Sequence, residues 1–343
     1  MNWLWRPIDP FTARLEGRKG EEPPLNSIYL MSSVNGRQLS KHWSQSAIWQ
    51  WIWGMLSIVL VTAIWGYSNV VIRQGEATLS PAMLLWLRFG IAGLVLLPVL
   101  RQASLTRRNW LWGMGLGVIL GISILFQAWA MMSISVDDVA FITALYVVFT
   151  PLGLAILQKK RPDKIIWISV TISLVGVMLL VGHLSLDLRS GIFWSLGAAV
   201  GLSAQIIGTR FLGQKMSSSH LTGLQSLGAT ITMTVIVGIQ RVFFSLPHHS
   251  VLFHWNTIDW LWIGYLALVA TVIAVFLQSW GQTKISATEA ALAFNLEPVW
   301  TAVFALIVLS QRMTIVQIVG ALGIIGSLTM VTRPGLVKIW RSK

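Results

Sequence analysis

Residues 285–309 read ISATEAALAFNLEPVWTAVFALIVL, and residues 134–158 read ISVDDVAFITALYVVFTPLGLAILQ. Each is an apolar run of membrane-crossing length, introduced by a serine with an acidic residue three positions later. With an offset of 151, Ile134-Ser135 falls on Ile285-Ser286, Ala140 on Ala291 and Leu145 on Leu296. The register extends outward in both directions, laying residues near 111–182 on those near 262–333. Gln127 and Trp129 then fall on Gln278 and Trp280, and Arg161 on Arg312. The chain is an internal duplication.

A helix that crosses a bilayer needs about 20 mostly apolar residues. Ten such runs occur, near 51–72, 82–100, 110–131, 138–158, 164–182, 191–213, 220–244, 260–281, 287–309 and 315–332. Each copy of the repeat thus holds five spans. Because five is odd, the second copy enters the membrane upside down relative to the first, the arrangement from which many secondary transporters are built. Composition agrees: 55% of the 343 residues are hydrophobic and 11% charged, against roughly 25% charged in a soluble domain. A water-soluble globule is excluded. The absence of cysteine excludes disulfides and thiolate chemistry.

Net charge is +13, but the basic residues sit in short clusters between apolar runs and form no continuous face, so no nucleic-acid partner is expected. The clusters instead orient the spans. With the N-terminus inside, 20 Lys and Arg fall on inner segments and four on outer loops, Arg73, Arg189, Arg241 and Arg312. Both termini are therefore expected in the cytoplasm. Residues 1–50 carry scattered prolines and mixed charges and are expected to form a disordered cytoplasmic arm; Met1 and Met31 are alternative starts. The remaining expected units are a first five-helix repeat over 51–182, a second over 191–332 and a basic tail over 333–343.

At several points the chain resembles a known family. Trp65-Gly66-Tyr67-Ser68-Asn69 in span one, Leu87-Arg88-Phe89 in span two, Ala144 to Pro151 in span four and Leu296-Glu297-Pro298-Val299 in span nine are similar to signatures of the EamA family, in the drug/metabolite transporter superfamily. The resemblance covers about residues 50–332. It implies a ten-helix exporter of amino acids, other metabolites or drugs in a bacterial inner membrane. The chain departs from the pattern at Gln311-Arg312, where family members often carry a Gly-Glu-Arg turn.

Glu297 stands about 15 Å along span nine, near the bilayer centre. A carboxylate there is costly. Either it accepts protons or a substrate cation, or it is held neutral at a kink made by Pro298, which lacks a backbone donor and frees the Phe294 carbonyl. Arg88 is the basic residue well inside a span. It can pair with Glu297, bind a substrate carboxylate or reach the outer interface, and a structural or gating role is the leading reading. Gln127, Gln205 and Gln278 must hydrogen-bond across helices or to cargo. With Asn69, Tyr146 and Asn295 they are expected to form a polar interior wall suited to a zwitterionic or amide-bearing solute.

Ser135 with Asp138, and Ser286 with Glu289, have capping-box spacing and read as helix starts rather than a metal or proton relay. Glycines at four-residue spacing, Gly113, Gly117 and Gly121 in span three and Gly197 and Gly201 in span six, read as close helix contacts. Trp51, Trp53, Trp110, Trp112, Trp167, Trp260 and Trp262 lie at span ends as interfacial anchors, whereas Trp65, Trp86, Trp129, Trp194, Trp280 and Trp300 lie deeper.

No nucleotide-binding glycine loop occurs, and His248, His249 and His254 read as a solvated loop rather than a metal site, so no cofactor is expected. The sequence reads as an all-α integral membrane protein of two inverted five-helix repeats. Its expected partners are the lipid bilayer, a small-molecule substrate and protons. A non-transporting scaffold and an intramembrane enzyme are the alternative classes, and the oligomeric state is left open.

Overall fold

The computed structural model describes residues 36–75, 80–101, 104–182, 190–243, 257–308, 310 and 312–341. Arm residues 1–35 and the loop holding His248, His249 and His254 lie outside these, as do the tail's side chains. Among the described residues everything regular is helical, and ten segments are long and apolar enough to cross a membrane. They run Ala47–Asn69, Pro81–Arg101, Arg107–Met131, Val136–Gln158, Lys164–Val181, Ser190–Leu212, Ser218–Val242, Trp260–Gln282, Ala287–Val308 and Ile315–Thr332. We call these spans one to ten.

Three departures from the expected layout have physical reasons. The first helix runs from Gly36, inside the arm expected to be disordered, and neither proline nor glycine lies between Gly36 and Gly54 to interrupt it. Likewise the last helix runs through Pro334 and Gly335 to Arg341. Spans four and nine, read as continuous, are each two helices: Val136–Thr143 with Tyr146–Gln158, and Ala287–Phe294 with Glu297–Val308.

Large apolar side chains face outward along the spans, among them Leu94, Ile156, Phe193 and Ile315, a belt that only a lipid solvent tolerates. With lipid outside, helix association depends on close packing, which small residues permit. A Cβ on Gly117 would run into the Gln225 carbonyl of span seven, and Gly113 and Gly121 meet Leu224 and Ala229 there. Gly197 and Gly201 of span six lie on Phe126 and Ser123 of span three. Spans five and ten also meet backbone to backbone, with Gly176 and Gly320 each on the other's carbonyl oxygen.

The main core gathers residues of spans one, four, five, six, eight, nine and ten, including Ile58, Val147, Val177, Ile285, Leu292 and Ile324. A second cluster joins spans two, three and seven through Phe89, Leu125 and Met233. Span one lies along span eight with its first half and along the second half of span nine with its last turns. That placement brings its end against both interrupted helices of the second repeat.

Candidate functional site

Both breaks begin with the chain tightening. Leu145 N–H donates to the Ile142 carbonyl, and Leu296 N–H to the Ala293 carbonyl, each reaching back three residues rather than four. A new helix then starts with Tyr146 in span four and with Glu297 in span nine. These two residues are repeat equivalents, separated by the offset of 151. Non-helical backbone at membrane depth persists only where protein or a polar cavity satisfies it. Pro298 does not cause the break, since span four breaks at the same place with Val147 in the corresponding position. It sits in the first turn of the new helix, where a missing N–H costs nothing.

Glu297 therefore occupies the positive end of a half-helix, which favours its charge. Asn69 Nδ2, at the end of span one, donates to Glu297 Oε1 (3.1 Å) and to the Thr301 hydroxyl (3.2 Å). Thr301 in turn donates to the Glu297 and Gly66 carbonyls. Gly66 makes this approach feasible: a Cβ there would lie 2.7 Å from the Trp300 Cβ and 3.0 Å from the Glu297 carbonyl. Asn69 is exposed and Glu297 half-buried, so the carboxylate is accessible. Aromatic rings frame it. Tyr67 stands edge-on to Tyr265 and Phe304, each at 5.3 Å, and Trp300 stacks with Phe304.

Arg88 does not form an ion pair with Glu297. Its Nε donates to the Thr271 hydroxyl (2.6 Å) and its Nη2 to the Ala270 carbonyl (3.0 Å), both on span eight. That span is wound as a π-helix over Tyr265–Ile273. Where π winding returns to α winding, the change from i−5 to i−4 pairing skips one carbonyl, and π segments gather at functional positions. Ala270 accepts two side-chain donors there, Arg88 Nη2 and Trp65 Nε1 (3.0 Å). Tyr265 adds a third tie, donating its hydroxyl to the Ile64 carbonyl.

The expected polar wall does not form as one surface. Gln205 and Gln278 bond to each other, and Gln205 also donates to Gln225 Oε1 (2.7 Å) and to Thr209, forming a buried amide cluster of spans six, seven and eight. Asn295 Nδ2 donates to Ser173 of span five (2.8 Å), fully buried. Gln127 is half-buried without a hydrogen-bond partner among the described residues, so it does not share the role of its repeat mate Gln278. Tyr146 lies beside the break of span four, its hydroxyl unbonded to the described residues yet not sealed from solvent. Each amide in hydrocarbon takes the nearest available partner, which is why one expected surface became several separate contacts.

The caps lie where the spacing puts them. Ser135 Oγ accepts from Asp138 N–H, and Ser286 with Glu289 makes both bonds of a capping box. Glu289 does more than cap, because Trp51 Nε1 of span one donates to its Oε1 (3.0 Å). Of the deeper tryptophans, Trp129 stacks with Phe126 and Trp194 packs at a tilt against Phe126 and edge-on to Trp129, a separate aromatic group between spans three and six. Thr301, Thr271 and Gln225 were missed in the sequence. Thr301 and Gln225 carried a usable signal: one lies a helical turn beyond Glu297 and the other is an uncharged amide inside a span.

The family model described as the EamA-like transporter family matches the chain twice, over residues 52–182 and 189–333. The chain belongs to the EamA-like transporter family. The two matches coincide with the two halves of the duplication, and the protein is a multi-pass membrane transporter. An uncharacterized transporter of Archaeoglobus fulgidus is 26% identical over 266 residues, covering 78% of this chain and 81% of that protein. The threonine/homoserine exporter RhtA of Escherichia coli K12 is 25% identical over 205 residues, 57% of this chain; the match spans 64% of that exporter's length. The RhtA of Salmonella typhimurium LT2 is 25% identical over 222 residues, covering 63% of this chain and 68% of its own. Among solved structures, one protein crystal structure superimposes with a TM-score of 0.66 at 18% identity, over 84% of this chain and 96% of that one. The EamA fold is thus shared well beyond the reach of sequence identity.

Proposed function

We propose that the protein exports an amino acid or related small metabolite across a bacterial inner membrane by alternating access, with Glu297 as the binding or coupling carboxylate. The observation that carries this reading is the setting of Glu297. It is an accessible carboxylate at the break of a mid-membrane helix, held by Asn69 from span one. Substrate sites of inverted-repeat transporters lie at such broken helices near the midplane. Two relatives are named as threonine/homoserine exporters, which favours amino acids as cargo. The two repeats, 51–182 and 191–332, are the units that exchange conformations, and the basic clusters put both termini in the cytoplasm.

In this mechanism protons from outside reach Glu297 in the outward-facing state and release the cargo. Loss of the proton inside restores the charge and the affinity for a cationic group. Gln205, Gln225 and Gln278 hold spans six to eight together rather than meeting cargo, since Gln205 is bonded to both of the others deep in the helix contact, where the Gln278 Oε1 is buried without a partner among the described residues. The test is counterflow in liposomes containing the purified full chain, with pooled radiolabelled amino acids and protein-free vesicles as control. Accumulation above control is expected, and an imposed pH gradient should drive it in the wild type but not in Glu297→Gln. No accumulation of any amino acid would remove that class of cargo. A Glu297→Gln variant with unchanged pH dependence would remove the proton step.

A further inference from the structure

Two opposite charges in a low-dielectric interior attract strongly and usually collapse into a pair. Arg88 and Glu297 do not, because each is held elsewhere by neutral groups. Arg88 is bonded through Nε and Nη2 to Thr271 and Ala270, and Glu297 accepts from Asn69. Both anchors meet span one on the same face. Trp65 Nε1 shares the Ala270 carbonyl with Arg88, while Asn69, four residues on, holds Glu297. Positions i and i+4 lie one above the other on a helix, about 6 Å apart along the axis. The guanidinium and the carboxylate are thereby kept on neighbouring levels of one wall.

The remaining capacity of these groups points toward a ligand. Arg88 Nη1 has no hydrogen-bond partner among the described residues, yet it is not among the polar atoms sealed from solvent. The Tyr146 hydroxyl, on the other broken span, has the same status. Glu297 retains acceptor capacity beyond the single Asn69 bond.

We infer that Arg88 and Glu297 form a two-ended site for a zwitterion, Arg88 Nη1 receiving the carboxylate and Glu297 the ammonium group. This rests on the amino-acid reading above and narrows it to solutes that carry both charges. A solute with only the ammonium leaves Arg88 uncompensated, and one with only the carboxylate leaves Glu297 uncompensated. Discrimination then comes from the unpaired charge as much as from the bond made. Because Arg88 of span two is anchored on the π segment of span eight and Glu297 sits at the break of span nine, the bound zwitterion also ties span two and its π-wound anchor to the broken span nine.

The experiment is competition of counterflow in proteoliposomes of the full chain. Labelled threonine is used first, or whichever pooled amino acid gives counterflow, against its unlabelled form, its methyl ester and its N-acetyl derivative. In the wild type the parent amino acid should compete at least about tenfold better than either derivative. Arg88→Gln should erase the preference over the ester while the N-acetyl form stays excluded, and Glu297→Gln should do the reverse. Arg88→Lys, which keeps the charge, should retain preference over the ester and serves where Arg88→Gln yields no folded protein. Equal competition by all three compounds in the wild type overturns the two-ended site and leaves the exporter reading intact. So does a preference over the ester that persists in Arg88→Gln. No amino acid counterflow in the wild type overturns both.

Discussion

Spans four and nine are the same device built twice with different chemistry. Each starts on a serine cap, breaks at the second of two matching positions, Leu145 and Leu296, and resumes as a helix of similar length. At the first position of the resumed helix one copy carries a phenol, Tyr146, and the other a carboxylate, Glu297. The comparison separates architecture from function. What the two copies share belongs to the inverted-repeat scaffold, and what differs is the chemistry offered at the middle of the membrane.

The sharpest way to break this comparison is at the differing position. Glu297→Gln should lower counterflow by roughly 10- to 100-fold, the loss of one desolvated charge-assisted bond, while Tyr146→Phe should cost only a fewfold. Equal losses would mean that both positions serve the scaffold. Next comes Asn295, whose repeat equivalent is Ala144. Asn295→Ala removes the buried bond to Ser173 and should lower stability by about 1–2 kcal/mol, read from the unfolding transition in detergent.

The caps sharpen the comparison further. Ser286→Ala and Ser135→Ala each lose one bond, from the N3 backbone N–H to the cap hydroxyl, and should each cost about 1 kcal/mol, while the backbone N–H of residue 286 keeps its bond to Glu289. A clear difference between the two in thermal unfolding would show that the two helix starts are not equivalent. The smallest effect is expected at Pro298. Because span four breaks without a proline there, Pro298→Ala should leave transport near wild type and change stability by less than about 0.5 kcal/mol. Loss of transport in this variant would make the proline part of the mechanism in span nine alone.

The ten spans, the duplication and the acid in span nine were legible because lipid makes rare events costly. Every polar interruption of an apolar run must have a reason. The breaks were not equally legible. Thr143-Ala144-Leu145-Tyr146 contains neither glycine nor proline, and its interruption comes from tertiary packing. Tyr265–Ile273 gives no sign of π winding, since an apolar run reads the same at 3.6 or at a wider period. The partner of Arg88 was hidden for the same reason: a carbonyl released by that winding leaves no trace in residue types. Glutamines were recognised as polar interruptions, but which amide pairs with which depends on helix azimuths that no single span specifies.

The contact of Gly176 with Gly320 brings the last helix of each repeat close enough for their backbones to touch. Nothing larger fits between them, so neither can roll past the other without opening a void in a region that lipid cannot fill. In the proposed alternating access the final helices of the two halves would serve as a common axle, around which the moving spans swing to expose the Glu297 carboxylate first to one side and then to the other, and a single methyl group added at either glycine should stiffen or split that axle without touching the cargo at all.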